Sequence, residues 1–236
     1  MLISPKPIDT SQFIIQIDGS KIDFVTCIKY LGVQLDSKLT LNEYHQALLS
    51  RLNREFYILK RCSNKLNSQS KQIFIKSIVF PSLNYCSSVL FLLNSTQIDS
   101  LQKVMHRFMR LILKVDYRAP RKKMLQDLGW LSVNQLIIYN TLILLHRSSI
   151  ALTPYYLASQ MVKRGDVHAH TLRSAGEYKE KPYFKHSSQN SLFFKGIQYF
   201  NNFRRYCSEK KDNDLNNGKS IKTLAKEYVK YAFPLS

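Results

Sequence analysis

Lys103, Arg107, Arg110 and Lys114 recur at helical spacing with no acid between them. On a helix these residues fall in one stripe, and like charges one turn apart destabilise an isolated helix by about 0.2–0.5 kcal/mol per pair. A stripe kept at that cost suits a row of phosphates, which it would track without reading bases. Arg118, Arg121, Lys122 and Lys123 extend the run. Arg51, Arg54, Arg61 and Lys65 form a second basic set in which Glu55 is interspersed. For both sets a solvated basic face is the plain alternative.

Other chemistry is thinly supplied. Cys27, Cys62, Cys86 and Cys207 are scattered, and no histidine stands at zinc-finger spacing from a cysteine pair. Free thiols in a reducing compartment are the expectation. His168 and His170, near Arg164 and Arg173, have the chemistry to meet phosphate or a metal. No further ligand is close in sequence, so an exposed loop is the better account. No Ser/His/Asp or Cys/His set stands out. Asp9, Asp18, Asp23 and Asp36 are isolated, and the sequence has no Asp-Asp dipeptide.

The charge balance points the same way as the stripes. Lys and Arg number 35 against 16 acids, for a net charge of +19. Such an excess calls for a polyanionic partner, nucleic acid first and an anionic membrane second. A hydrophobic share of 44% excludes a disordered tail, and 7 Gly with 7 Pro argue against a loop-dominated fold. The N-terminus lacks the basic-then-apolar pattern of a signal peptide. Leu136 to Leu145, the richest apolar run, is too short to span a bilayer. An intracellular protein of nucleus or cytoplasm, not secreted, is expected.

These side chains need elements to position them. Phe13 to Ile17, then Asp18-Gly19, read as a strand and tight turn, with a return strand over 21–25 and a third over 28–33. From Thr40 the period turns helical: Leu41, Tyr44, Leu48, Leu52, Phe56 and Leu59 make one apolar face. A helix over 70–80 should end at Pro81, and an apolar segment follows over 83–93. Thr96, with Asp99, is the expected cap of the helix carrying Ile98, Leu101, Met105, Phe108, Ile112 and Val115 opposite the first basic stripe. Ser132 with Gln135 forms a capping box for a central apolar helix, which Thr153-Pro154 should end. Residues 159–190 read as a long polar connection. An aromatic helix over 192–206, with Phe193, Phe194, Ile197, Phe200 and Phe203, is expected to pack in the core with Trp130 rather than stack on bases. A polar loop over 212–220 and a short amphipathic helix over 221–233 close the chain.

In order, several segments resemble the end of the polymerase of jockey-like elements, the non-long-terminal-repeat retrotransposons. The resemblance is carried by Ile28-Lys29-Tyr30-Leu31-Gly32-Val33-Gln34-Leu35-Asp36, Leu39-Thr40 and His45, and by the run from Leu101 to Leu113. Leu128-Gly129-Trp130-Leu131-Ser132, Pro154-Tyr155-Tyr156-Leu157, Thr171-Leu172-Arg173-Ser174 and Phe194-Lys195-Gly196-Ile197 with Phe200-Asn201 continue it. One departure is that Asn201 precedes Asn202-Phe203-Arg204, where the family commonly has Leu-Pro.

The resemblance implies that Tyr30, Leu31 and Gly32 correspond to a primer-grip hairpin, although without palm partners they are expected to act structurally. It implies that the following helices correspond to a thumb that holds template–primer duplex. It also implies that Met1 to Pro5 resembles the strand after the catalytic hairpin, so that the chain begins beyond the catalytic palm. The Asp pair and third Asp that would hold two Mg²⁺ belong to that missing palm. No catalysis by this chain alone, and no cofactor of its own, is therefore expected.

The fold expected is α+β, mostly α: a small N-terminal antiparallel hairpin sheet packed on a thumb-like helical bundle, with a helical C-terminal region. Its divisions are 1–36 (palm-end hairpin), 37–128 (thumb-like) and 129–236 (extension, with the polar loop about 159–190). The expected activity is salt-sensitive, sequence-independent binding of RNA, DNA or their hybrid, with the rest of a retrotransposon polymerase in trans as a further partner. A basic helical adaptor, an anionic-membrane-surface protein and a non-functional element relic are the alternatives.

Overall fold

In the computed structural model, which describes residues 1–3, 13–167, 174–181, 191–214 and 220–234, Asp18 and Gly19 take φ of 47° and 76°. These angles make the tight turn joining β1 (Ile15–Ile17) to β2 (Ser20–Ile22), with Ile15 opposite Ile22. A second hairpin pairs β3 (Cys27–Tyr30) with β4 (Val33–Asp36). The expected run of three strands is thus two separate two-stranded sheets. The expected third strand, 28–33, splits because Leu31 and Gly32, at φ of 46° and 83°, turn the chain back. In β4, Val33 is buried against the helices, whereas every residue of β1 and β2 is exposed.

Asp36 joins the second hairpin to the first long helix. Its carboxylate accepts the backbone N–H groups of Lys38, Thr40 and Leu41 at 3.0, 3.0 and 2.7 Å, and the Thr40 hydroxyl at 3.2 Å. Burial alone would raise its pKa; these hydrogen bonds outweigh it and hold the group below the ordinary carboxylate value. The helix α1 (Asn42–Cys62) then buries the predicted stripe from Leu41 to Leu59. Glu55 falls on that stripe too and is buried, its Oε1 accepting from Arg51 Nε at 3.0 Å.

The next helical stretch does not stop at Pro81. α2 (Ser68–Phe74) passes through a π-helical turn, Ile75–Val79, into α3 (Phe80–Asn84), where Pro81 occupies the first turn. Proline lacks an N–H, and its ring crowds the carbonyl four residues back. The wider π turn relieves both problems at the position where the helix would otherwise break. After α4 (Ser87–Leu90), α5 (Ser95–Leu113) is capped by Asn94 rather than by Thr96. Gln97 N–H donates to Asn94 Oδ1, and Asn94 N–H donates to Gln97 Oε1, each at 2.9 Å. Thr96 lies inside the first turn, and Val115 lies past the helix end.

α6 (Arg121–Leu128) ends at Gly129, and α7 (Val133–Ser149) starts at the Ser132–Gln135 capping box, as the spacing predicts. A wide face of α7 is buried, including Ile137, Ile138, Leu142 and Leu145, while Leu136, Tyr139 and Ile143 on the other side are half-buried. It packs against α3, α4, α5 and two later helices, α9 (Ile197–Asp214) and α10 (Ile221–Ala232). The short α8 (Tyr155–Ala158) follows Pro154. A π turn, Leu192–Gly196, leads into α9 so close to α7 that a Cβ on Gly196 would stand 3.3 Å from Thr141 Cγ2. Trp130, Ile197, Phe200 and Phe203 are core residues. The regions 1–36, 37–128 and 129–236 share one core, which runs from Val33 to Val229.

The described parts of 159–190 are tied down rather than loose. Lys163 bridges to Tyr178, and Arg164 pairs with Glu177 at 3.0 Å and Glu180 at 2.7 Å. Asn201 Oδ1 accepts Tyr178 N–H and Asn201 Nδ2 donates to Tyr178 C=O, both at 2.9 Å. A side-chain amide here does what a neighbouring strand would do, a pairing across 23 positions that local spacing does not reveal. α9 also runs to Asp214, three residues into the predicted polar loop. The architecture is α+β and mostly α, and among the described residues no single helix is long and apolar enough to cross a membrane.

Candidate nucleic-acid interface

Three cross-helix contacts fix how α1 and α5 lie. Gln97 Nε2 donates to Asn42 Oδ1 at 2.9 Å, His45 Nε2 meets Ser100 Oγ at 2.6 Å, and Arg107 donates to Asn53 Oδ1 at 2.7 Å. Residue numbers rise together along both helices, so they run parallel. Arg107 also stacks on α1, its guanidinium 4.1 Å from the Phe56 ring centroid and 5.6 Å from that of Tyr57. The predicted stripe is therefore not uniform. Lys103 and Lys114 are exposed, while Arg107 and Arg110 are half-buried.

On the other flank of α5, His106 is buried. Val133 N–H donates to Gln102 Oε1 at 2.7 Å, which leaves Gln102 Nε2 as the donor to His106 Nε2 at 2.9 Å. The imidazole accepts at Nε2, so its proton sits on Nδ1 and the ring is neutral. Burial, with the charges of Arg121 and Arg110, pushes its pKa down to about 4. Gln102, His106, Arg121 and Lys122 share a cavity of about 510 Å³ with Asp99.

The exposed strip of α5 thus has α1 along one side and the start of α6 along the other. Arg54 and Arg61 project from α1, and Arg121, Lys122 and Lys123 from the first turn of α6, all exposed. Cations at a helix N-terminus oppose its dipole, at a cost of about 0.3–1 kcal/mol each. Of the predicted cations, only Arg51 forms an ion pair among the described residues, with Glu55, which removes it from the free set. Arg118 is exposed and bonds Tyr117 Oη at 3.1 Å, and Lys65 is exposed in the turn just past α1. Lys103, Arg107, Arg110 and Lys114 thus lie on a helix packed between α1, which carries Arg54 and Arg61, and α6, whose first turn carries Arg121 and Lys122.

Tyr30, Leu31 and Gly32 form the tip of the second hairpin, with Tyr30 and Leu31 exposed. The Tyr85 hydroxyl donates to Leu31 C=O, and a Cβ on Gly32 would stand 3.4 Å from that hydroxyl. The tip is held to the segment between α3 and α4. His168, His170, Arg173 and Asp9 lie outside the described residues. Among the described residues no three His, Cys, Asp or Glu side chains converge.

Sequence reasoning missed Asn53, Tyr57, Gln102 and His106. Gln102 and His106 stand one helical turn apart, a visible signal; Asn53 and Tyr57 matter only once α5 is laid beside α1. No family model, no curated protein and no solved structure matches the chain.

Proposed function

We propose that this chain binds nucleic acid by its phosphates, along the exposed strip of α5 and the cations that flank it. The observation that carries the reading is that Lys103, Arg110 and Lys114 lie on α5 between two packed helices carrying Arg54, Arg61, Arg121 and Lys122, none paired with an acid among the described residues. Such a surface gives affinity without base specificity and releases counterions on binding. The net charge of +19 supplies long-range attraction as well.

We further infer that the chain works as a thumb-like part of a retrotransposon RNA-directed DNA polymerase whose catalytic palm lies elsewhere. The first hairpin supports this. Ile15, Ile17 and Ile22 are exposed on a two-stranded ribbon, and such a ribbon is marginal alone in water. Its free edges and apolar face suit pairing with a further sheet, which the described residues do not supply.

The test is a salt series of binding to a labelled RNA–DNA hybrid, beside binding to anionic vesicles. Affinity for the hybrid should fall linearly on a log–log plot as salt rises. Tighter binding to vesicles than to any nucleic acid would replace this reading with a membrane-surface role.

A further inference from the structure

Tyr57 is 55% exposed on α1, one turn from Arg54 and one turn from Arg61, and its ring centroid is 5.6 Å from the Arg107 guanidinium of α5. The ring is braced from beneath. Phe56 packs edge-on to it at 5.8 Å, and Phe56 in turn packs on Phe108 at 5.3 Å. Arg107 cannot swing away freely, because Asn53 holds it. The result is an aromatic ring open to water, beside the Arg107 guanidinium of α5 and with Arg54 and Arg61 one turn away on its own helix.

Packing does not account for this residue, since more than half of it faces solvent. Phosphate tracking does not account for it either, because cations alone do that work. An aromatic ring among cations is the arrangement by which proteins hold single strands: a base stacks on the ring while the neighbouring backbone lies on the charges.

Resting on the nucleic-acid reading above, we propose that Tyr57 is a stacking platform for an unpaired nucleobase, with Arg54, Arg61 and Arg107 holding the adjoining sugar–phosphate backbone. The ligand is a single-stranded segment of RNA or DNA. Stacking tolerates any base, so sequence independence is retained.

Fluorescence anisotropy with two labelled strands of about twelve nucleotides, a length matched to single-strand site sizes, tests this. One is oligodeoxythymidine and the other is the same deoxyribose-phosphate backbone without bases. Wild type should bind the thymidine strand about tenfold tighter than the base-free strand. Tyr57→Ala should erase that preference, and Tyr57→Phe should keep it. In Tyr57→Trp the new indole should be quenched by the thymidine strand alone, over a constant signal from buried Trp130. Equal binding of both strands by wild type, or a preference that survives in Tyr57→Ala, overturns the stacking role but leaves phosphate binding intact. Binding of neither strand overturns the nucleic-acid reading and this inference together.

Discussion

Arg107 is joined to Asn53 by a 2.7 Å hydrogen bond that runs from α5 to α1. With its stacking on Phe56, this contact makes Arg107 part of the fold as well as part of the basic strip. Lys103, one turn earlier, is exposed and carries charge alone. The two residues therefore predict different phenotypes. Arg107→Met should cost about 1–2 kcal/mol in urea unfolding, from one hydrogen bond and one cation–π contact. Lys103→Gln should change stability by less than about 0.5 kcal/mol. It should weaken nucleic-acid binding and make the log–log salt slope shallower by about 1.

His106 gives the protein a pH dependence of definite sign. Its pKa is about 4 in the fold against an ordinary histidine value of 6.5, so between those values the unfolded chain binds the proton first. Stability from this group is complete above pH 6.5 and is lost as pH falls toward 4, amounting to roughly 3 kcal/mol. His106→Gln should flatten the midpoint of urea unfolding over that window. An unchanged slope would show that His106 is not held neutral. Asp36 acts at lower pH, contributing stability above its unfolded value of 3.8 that disappears as pH falls through its depressed folded value.

Asn201 holds both polar backbone groups of Tyr178, a residue only 6% exposed. Asn201→Leu leaves that N–H and C=O without partners in a dry site and should cost about 2–4 kcal/mol. Amide exchange at Tyr178 should accelerate with it. Asn201→Asp should be only partly tolerated, because a carboxylate can accept the N–H but repels the C=O.

The cap of α5 separates two adjacent candidates. Asn94→Ala removes the oxygen that accepts Gln97 N–H and should cost about 1 kcal/mol. Thr96→Ala removes only a hydroxyl inside the first turn and should stay within about 0.5 kcal/mol. Thermal melts of the two variants decide the matter.

Much of the scaffold was legible because periodicity reports burial directly. The stripe from Leu41 to Leu59, the Ser132–Gln135 box and the Asp18-Gly19 turn are local patterns, and each forms as its spacing predicts. The α5 cap was misassigned because Asn94, Ser95 and Thr96 are all capping types in succession, and only the Gln97 partner selects among them. Glu55 lies three residues after Leu52 and seven after Leu48, so its burial was readable from the same stripe that was read for the leucines. Arg107 and Tyr57 could not be weighed from α1 or α5 alone, since their environment exists only where the helices meet. The Asn201–Tyr178 pairing is likewise a product of tertiary structure.

The most direct measurement is the salt dependence of hybrid binding by wild type and by a Lys103/Arg110/Lys114→Gln variant, with Arg107 left in place because it also braces the fold. The wild-type slope should be steep, and the variant should bind more weakly with a slope shallower by about 3. Identical affinity and slope for the two proteins would contradict the assignment of the α5 strip as the nucleic-acid interface.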